Sequence, residues 1–227
     1  IRQALKSQIE LGDHEVVVDR RKRTKAAPAQ ASGESSEMTV TKIASTRTFE
    51  LTRLPEVQAR QYDSLEQHRE AICNCQLCPL GKTRNKFVYG VGNPNAKLMF
   101  IGEAPGADED RLGEPFVGRA GQLLDKILEA MKFTRQDIYI ANILKCRPPN
   151  NRDPQPDEMN KCTPYLNEQI RIIQPKLICL LGRIAAQALL QTTTPLGKMR
   201  GQWHEHVVVP VIVTYHPAAL LRFPGYK

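Results

Sequence analysis

Four short apolar runs divide the second part of the chain. They lie at residues 97–101, 138–141, 177–181 and 208–214, and several of them contain β-branched side chains. Short, continuous apolar runs of this kind are typical of strands that are buried on both faces of a parallel sheet. The pattern therefore predicts four central strands.

Helical periodicity fills the intervals between these strands. Within residues 120–131 the apolar side chains recur at spacings of three and four, which places them on one helical face. Residues 157–173 and 184–190 predict two further helices. The alternation of strands and helices predicts an α/β fold, a three-layer α/β/α sandwich with a central, mostly parallel four-stranded sheet.

The first 60 residues show no comparable pattern. A basic run at residues 20–25 leads into a segment rich in Ala, Pro, Gln, Ser and Glu at residues 26–37. This composition buries too little apolar surface to offset the entropy that ordering would cost. We predict a basic, mostly disordered N-terminal extension over residues 1–60 and a folded domain over residues 61–227.

Charge and hydropathy narrow the functional classes. The 227 residues carry a net charge of +8, which favours a polyanionic partner such as nucleic acid. No apolar run approaches the roughly 20 residues that a membrane-spanning helix needs, and no secretory leader is visible. We expect a cytoplasmic protein, monomeric and without a membrane partner.

Residues of unusual chemistry follow all four predicted strands. Gly102 to Gly106 follow the first strand, Asn142 the second, Gly182 and Arg183 the third, and His216 the fourth. In open parallel sheets the carboxyl ends of the strands share one edge, and ligands bind there. The sequence therefore predicts one ligand site along this edge.

The cysteines indicate a metal or cluster site. Cys75 and Cys78 form a C-x2-C pair, and Cys146 and Cys162 are separated by fifteen residues. In a chain without a secretory signal, clustered cysteines favour metal ligation over disulfides. Zinc and a four-iron cluster both accept four thiolates, so ligand type alone leaves this choice open.

Several motifs, taken together and in this order, resemble the iron–sulfur uracil-DNA glycosylases of family 4. The resemblance extends from about Cys75 to Arg222. The motifs are Cys75-x2-Cys78-Pro79-Leu80; Gly102-Glu103-Ala104-Pro105-Gly106 with Glu109-Asp110; Gly113-x-Pro115-Phe116-Val117-Gly118-Arg119-Ala120-Gly121; Asn142-x2-Lys145-Cys146-Arg147-Pro148-Pro149-x-Asn151-Arg152; Arg200-Gly201; and His216-Pro217-Ala218-Ala219-Leu220-Leu221-Arg222.

The resemblance implies an enzyme that hydrolyses the N-glycosidic bond of flipped-out deoxyuridine in DNA and so begins base-excision repair. Its implied partner is uracil-containing DNA. It also implies that Cys75, Cys78, Cys146 and Cys162 hold a [4Fe–4S] cluster with a structural role. The family usually continues past the His-Pro loop with a final helix, which we expect this domain to lack.

Uracil itself suggests which residues form its pocket. The amide of Asn142 offers one donor and one acceptor, which match O4 and N3–H of uracil and oppose the edge of cytosine. By resemblance, Phe116 stacks on the flipped base, and Gly102 and Ala104 complete the pocket.

Cleavage of the glycosidic bond needs groups for both developing charges. We expect His216 to donate a hydrogen bond to uracil O2 and so stabilise the leaving anion. A carboxylate near the sugar would stabilise the cationic side and orient water. Glu103 and Glu109 are both candidates, and the sequence does not rank them. In related families an Asp often stands at the position of Ala104, which cannot activate water.

The DNA contacts are expected along the same edge. Leu220 could wedge into the base stack, and glycines could let backbone N–H groups approach phosphates. Basic side chains would contact phosphates directly. The predicted DNA-binding residues are Gly106, Arg119, Arg200, Gly201, Leu220 and Arg222.

Two other functions remain open at this point. A related subgroup traps uracil-DNA covalently through a His on an inserted basic loop, and it typically has Gln at the position of Ala104. A nucleic-acid-binding module with a structural zinc site and no catalysis would explain the cysteines and the charge. It would not explain why Glu103, Phe116, Asn142 and His216 follow strand ends.

Overall fold

The computed structural model describes residues 62–226. The predicted disordered extension over residues 1–60 lies outside this range. The strands are β1 (Val91–Gly92), β2 (Leu98–Gly102), β3 (Tyr139–Asn142), β4 (Leu177–Leu181), β5 (Trp203–His206) and β6 (Val209–Thr214).

Helices and short turns connect these strands. The helices are α1 (Leu65–Ile72), α2 (Leu80–Thr83), α3 (Ala107–Leu112), α4 (Arg119–Ala130), α5 (Pro156–Ile173), α6 (Arg183–Leu189), α7 (Leu196–Met199) and α8 (Pro217–Arg222). Two single 3-10 turns cover Pro149–Asn151 and Pro224–Tyr226. Within residues 62–226, no helix combines the length and apolar character that crossing a membrane requires.

The sheet is mixed and has the strand order β1-β3-β2-β4-β6-β5. Its four central strands run parallel, as the apolar runs predict, while β1 and β5 pair antiparallel at the two edges. The expected count of four strands is therefore wrong by two. Neither additional strand has the apolar run that would predict it, because β1 has two residues and β5 alternates exposed with half-buried positions.

The core lies on both faces of the sheet. Along β2, Met99 and Ile101 pack on the face covered by α5 and α6, and Leu98 and Phe100 pack on the face covered by α4. Strand side chains alternate between faces, so an unbroken apolar run fills both layers at once. This arrangement is the predicted three-layer α/β/α sandwich.

Gly121 permits the closest approach between the start of α4 and the loop before it. A Cβ atom at this position would overlap the carbonyl oxygen of Phe116. No side chain fits there without moving the backbone of that loop.

Gly121→Ala should therefore destabilise the fold. Alanine favours a helix over glycine by about 1 kcal/mol, but the backbone clash is expected to outweigh this gain and lower the free energy of unfolding by about 1–3 kcal/mol. Gly197→Ala in α7 is the matched control, because no atom lies within 4 Å of its added Cβ. Urea unfolding measures the free energy of unfolding of both variants. Equal changes in the two would contradict the close packing at Gly121.

Candidate active site

A cleft of about 320 Å³ opens at the carboxyl edge of the sheet. Strands β2 and β3 end at it, and the segment after β6 closes one side. Its lining includes the predicted residues Glu103, Ala104, Gly106, Glu109, Phe116, Asn142, His216 and Arg222. The loop after β4 does not line it. A Cβ atom added at Gly182 in that loop would lie 3.0 Å from the Cβ of His216.

Asn142 ends β3 with its side chain in the wall of this cleft. Its Oδ1 is the one buried side-chain nitrogen or oxygen of residues 62–226 that has no hydrogen-bond partner. A Cβ atom on Gly102 would lie 2.5 Å from this Oδ1, so only glycine leaves the amide its place. An unpaired buried acceptor costs about 1–3 kcal/mol, and a ligand N–H would recover that cost.

The backbone of Asn142 is held from behind by a buried lysine. Lys145 is fully buried, and its Nζ donates to the carbonyl oxygen of Asn142 at 2.9 Å and to Oε1 of Gln169 at 2.5 Å. Gln169 in turn donates to the carbonyl oxygen of Tyr89 at 3.0 Å. Burial lowers the pKa of Lys145 to about 8. Sequence reasoning missed this support, because Gln169 and Tyr89 are far from Lys145 in the chain.

Phe116 forms an aromatic wall of the cleft. Its side chain is buried, and its ring stacks on that of His216, with 5.5 Å between the ring centroids and 30° between the planes. A Cβ on Gly102 would lie 2.7 Å from the Phe116 ring. The glycine thus makes room for both Asn142 and Phe116.

His216 caps the N-terminus of α8 and is fixed in one tautomer. Its Nδ1 accepts a hydrogen bond from the backbone N–H of Ala218 at 3.1 Å, so the proton of the neutral ring resides on Nε2. Burial, helped by the positive charge of Arg222, lowers the pKa of His216 to about 4. The ring is therefore a neutral hydrogen-bond donor at neutral pH.

The two candidate carboxylates have different surroundings. Oε1 of Glu109 accepts hydrogen bonds from the N–H groups of Val117 and Gly118, both at 2.9 Å, and its Oε2 accepts one from Gly106 at 3.1 Å. Glu109 thus ties two loops together.

Glu103 has no such partner among the described residues, although it lines the same cleft. Burial, together with the negative charge of Asp153, raises the pKa of Glu103 to about 7, against the opposing charge of Arg183. A half-buried carboxyl whose pKa lies near neutrality is suited to proton transfer.

The predicted DNA-binding residues divide into two groups. Gly106 and Arg222 line the cleft. The others lie outside it: Arg119 is exposed at the start of α4, Leu220 is half-buried on α8, Gly201 is exposed with a φ of 74°, and the guanidinium of Arg200 covers the ring of Tyr215 at 4.6 Å.

Pro148, Asn151 and Arg152 also line the cleft, and no site role was predicted for them. Arg152 is held by the buried carboxylate of Glu158 through hydrogen bonds of 2.9 and 2.6 Å. The motif that follows Cys146 contains all three residues and was the available signal.

The four predicted ligand cysteines line a second, small pocket. Arg84 donates to Sγ of Cys146 at 3.2 Å, the hydroxyl of Tyr165 donates to Sγ of Cys75 at 3.3 Å, and the N–H of Lys145 donates to Sγ of Cys162 at 3.3 Å.

The other two cysteines lie apart. Cys73 donates to the carbonyl oxygen of Glu70, and Cys179 is buried within β4. Across residues 62–226, no three His, Cys, Asp or Glu side chains are arranged to hold a single metal ion.

Comparison with known proteins shows the family of this chain. The family model for the Uracil DNA glycosylase superfamily matches residues 89–227. The chain is 47% identical over 174 residues to the Type-4 uracil-DNA glycosylase of Archaeoglobus fulgidus, covering 73% of this chain and 87% of that protein. This chain belongs to the type-4 uracil-DNA glycosylases.

Other relatives place the chain within the superfamily. A Type-4 uracil-DNA glycosylase of Thermotoga maritima is 43% identical over 155 residues, covering 67% of this chain and 81% of that protein. A Type-5 uracil-DNA glycosylase of Pyrobaculum aerophilum is 32% identical over 146 residues, covering 57% of this chain and 64% of that protein. The resemblance to family 4 is confirmed.

The raised pKa of Glu103 predicts how this residue affects stability. The folded state holds the proton of Glu103 more tightly than the unfolded state does. The stability that this proton contributes is therefore fully present below the pKa of the unfolded state, 4.5, and is lost as pH rises through the folded-state pKa of about 7. Glu103→Gln should therefore raise the thermal unfolding midpoint relative to wild type near pH 8, and much less near pH 5.

Glu129→Gln is the control, because Glu129 is exposed on α4. Its midpoint should differ from wild type by the same small amount at both pH values. An equal shift for Glu103→Gln at both pH values would contradict the raised pKa.

Proposed function

We propose that this chain hydrolyses the N-glycosidic bond of flipped-out deoxyuridine in DNA and so begins base-excision repair. The single observation that carries the proposal is the unpaired, buried Oδ1 of Asn142 in the wall of the cleft. Its type-4 relatives are named as uracil-DNA glycosylases. A uracil in duplex DNA can reach such a cleft only after it has flipped out of the base stack.

Base recognition follows from the amide. N3–H of uracil would donate to Oδ1 of Asn142, and Nδ2 would donate to O4. Cytosine presents an acceptor and an amino donor in these places, so it would face like partners and be rejected. Phe116 would stack on the base, and Gly102 and Ala104 leave space for it.

Bond cleavage would use the neutral imidazole. As the bond between C1′ and N1 breaks, its electron pair passes to uracil, and Nε2–H of His216 donates to O2 of the resulting anion. Because Nδ1 of His216 is engaged with Ala218, the proton is already on the nitrogen that must donate it.

Glu103 would serve the sugar side. Its carboxylate would stabilise the positive charge at C1′ and accept a proton from the water that attacks this carbon. Of the two candidate carboxylates, we favour Glu103, because three backbone N–H groups occupy the oxygens of Glu109. Both residues lie in the cleft, so a direct comparison of variants can decide.

DNA would run across the open face of the cleft. Gly106 and Arg222 line the cleft and would contact the phosphates beside the flipped nucleotide. Arg119, Arg200, Gly201 and Leu220 would extend the contact surface, with Leu220 filling the vacated stack. We expect the enzyme to act as a monomer.

We further infer that Cys75, Cys78, Cys146 and Cys162 hold a [4Fe–4S] cluster. Their shared pocket and the hydrogen bonds donated to three of the four sulfurs suit thiolate ligands. A multi-iron cluster needs more widely spaced thiolates than a single tetrahedral ion does. Bound there, the cluster would supply a cross-link between loops and no redox step.

The position of Cys146 explains why such a cross-link would matter. Cys146 follows Lys145, whose ammonium group holds the backbone of Asn142. Ligation of Cys75 and Cys78 would join the segment before α2 to this loop. The cross-link would therefore support the uracil reader from behind.

Uracil excision should depend on the two residues that contact the base. On a strand containing one uracil, alkali treatment should reveal cleavage, and His216→Ala should lower kcat/KM by about 100- to 1,000-fold. Asn142→Ala should lower it by about 100-fold, because each lost hydrogen bond to a buried group costs about 1–3 kcal/mol. Asn167→Ala, on the outer surface of α5, is the control.

Three outcomes of this assay are informative. Excision that needs Asn142 and His216 supports the glycosylase. A stable covalent adduct without turnover would show that the chain traps uracil-DNA and would overturn the glycosylase proposal. Binding with neither excision nor adduct would replace it with a DNA-binding module.

The cluster assignment predicts a division among the cysteines. Serine at Cys75, Cys78, Cys146 or Cys162 should reduce the iron and sulfide content and the visible absorption of the purified protein. Cys73→Ser and Cys179→Ser are matched controls and should retain both. Zinc instead of iron in the wild-type protein, or iron loss in the controls, would overturn the assignment.

A further inference from the structure

Phe116 has an unfavourable backbone conformation at the centre of the cleft. Its φ of 55° lies in the left-handed region, which costs an L residue about 1–2 kcal/mol. Conformations of this kind persist only where the surrounding contacts fix them. The neighbours of Phe116 must therefore supply that fixation.

One side of the loop is fixed by Glu109. Its Oε1 accepts hydrogen bonds from the N–H groups of Val117 and Gly118, which directly follow Phe116. These bonds leave the carbonyl oxygens of Pro115 and Phe116 to be satisfied elsewhere.

The other side is fixed by Arg135, which lies in the turn before β3. Its Nη1 donates to the carbonyl oxygen of Pro115 at 3.3 Å, and its Nη2 donates to that of Phe116. Its Nε forms an ion pair of 2.6 Å with Oδ1 of Asp125 on α4. The planar guanidinium donates from three separate nitrogens and so reaches all three acceptors at once, whereas an ammonium group has all its donors on one nitrogen.

We propose that Arg135, oriented by Asp125, is a positioning residue that keeps Phe116 in its base-stacking conformation. Arg135 does not line the cleft, so it acts through Phe116 and not on the substrate. The stacking role of Phe116 rests on the proposed function. The fixation of the loop itself does not, because it depends only on contacts within the protein.

A double-mutant cycle tests the link between the two residues. Arg135→Ala should lower kcat/KM for uracil excision by up to about 100-fold, the cost of a small misplacement in an active site. In a Phe116→Ala background the same change should have little further effect, because coupled residues are not additive. Additive losses would overturn the proposal. If Arg135→Ala fails to fold, Asp125→Ala takes its place in the cycle and should show part of the same loss in kcat/KM.

Arg171→Ala is the matched control. Arg171 also forms an ion pair through Nε, with Glu168 at 2.8 Å, and donates from Nη2 to a backbone carbonyl oxygen, that of Tyr62. It lies outside the cleft lining. Its variant should retain wild-type kcat/KM, and an equal loss in both variants would overturn the proposal.

Amide hydrogen exchange gives a readout that is independent of activity. Exchange at Val117 and Gly118 should be at least tenfold faster in Arg135→Ala than in wild type, and unchanged in Arg171→Ala. Unchanged exchange in Arg135→Ala would overturn the positioning role. If the wild-type protein excises no uracil, the proposed function fails, and exchange still decides whether Arg135 fixes the loop.

Discussion

The buried side-chain oxygen of Asn142 lacks a hydrogen-bond partner, and three of its neighbours keep it in place. Gly102 leaves it space, Lys145 holds its backbone from behind, and Phe116 closes the adjoining wall. An unpaired buried acceptor, a strained aromatic residue and a fully buried lysine each reduce the free energy of unfolding. Their concentration around one amide is what a preorganised recognition site would show, in which stability is given up for function, and recognition is the role that we propose for Asn142.

The two acidic residues near this amide show how surroundings separate chemically identical groups. Glu109 accepts three backbone hydrogen bonds and stabilises the loops that form the cleft. Glu103 directly follows β2 at the same edge of the sheet, and burial there raises its pKa to about 7. Such a difference would let Glu103 act on the reaction, as we propose, while Glu109 maintains the cavity in which it occurs.

The sequence revealed the centre of the fold because burial on both faces of a parallel sheet leaves an unbroken apolar run. It did not reveal β1 and β5, because edge strands are short or half-exposed and lack such a run. Asn142 and His216 could be placed together from topology alone, since parallel strands end at one edge. Glu103 and Glu109 could not be ranked, because their surroundings depend on contacts between segments. Arg135 and Lys145 were overlooked, because Arg135 contacts the loop before α4 and Lys145 is paired with Gln169 on α5.

The central claim is that the amide of Asn142 reads uracil. Its most direct test is a nuclear magnetic resonance titration of ¹⁵N-labelled protein with free uracil and, separately, with cytosine, following the side-chain amide signal of Asn142. We predict that uracil shifts this signal together with the backbone signals of Phe116 and His216, and that cytosine leaves all three unchanged. Uracil shifts confined to other parts of the protein, or equal shifts with cytosine, would contradict the account.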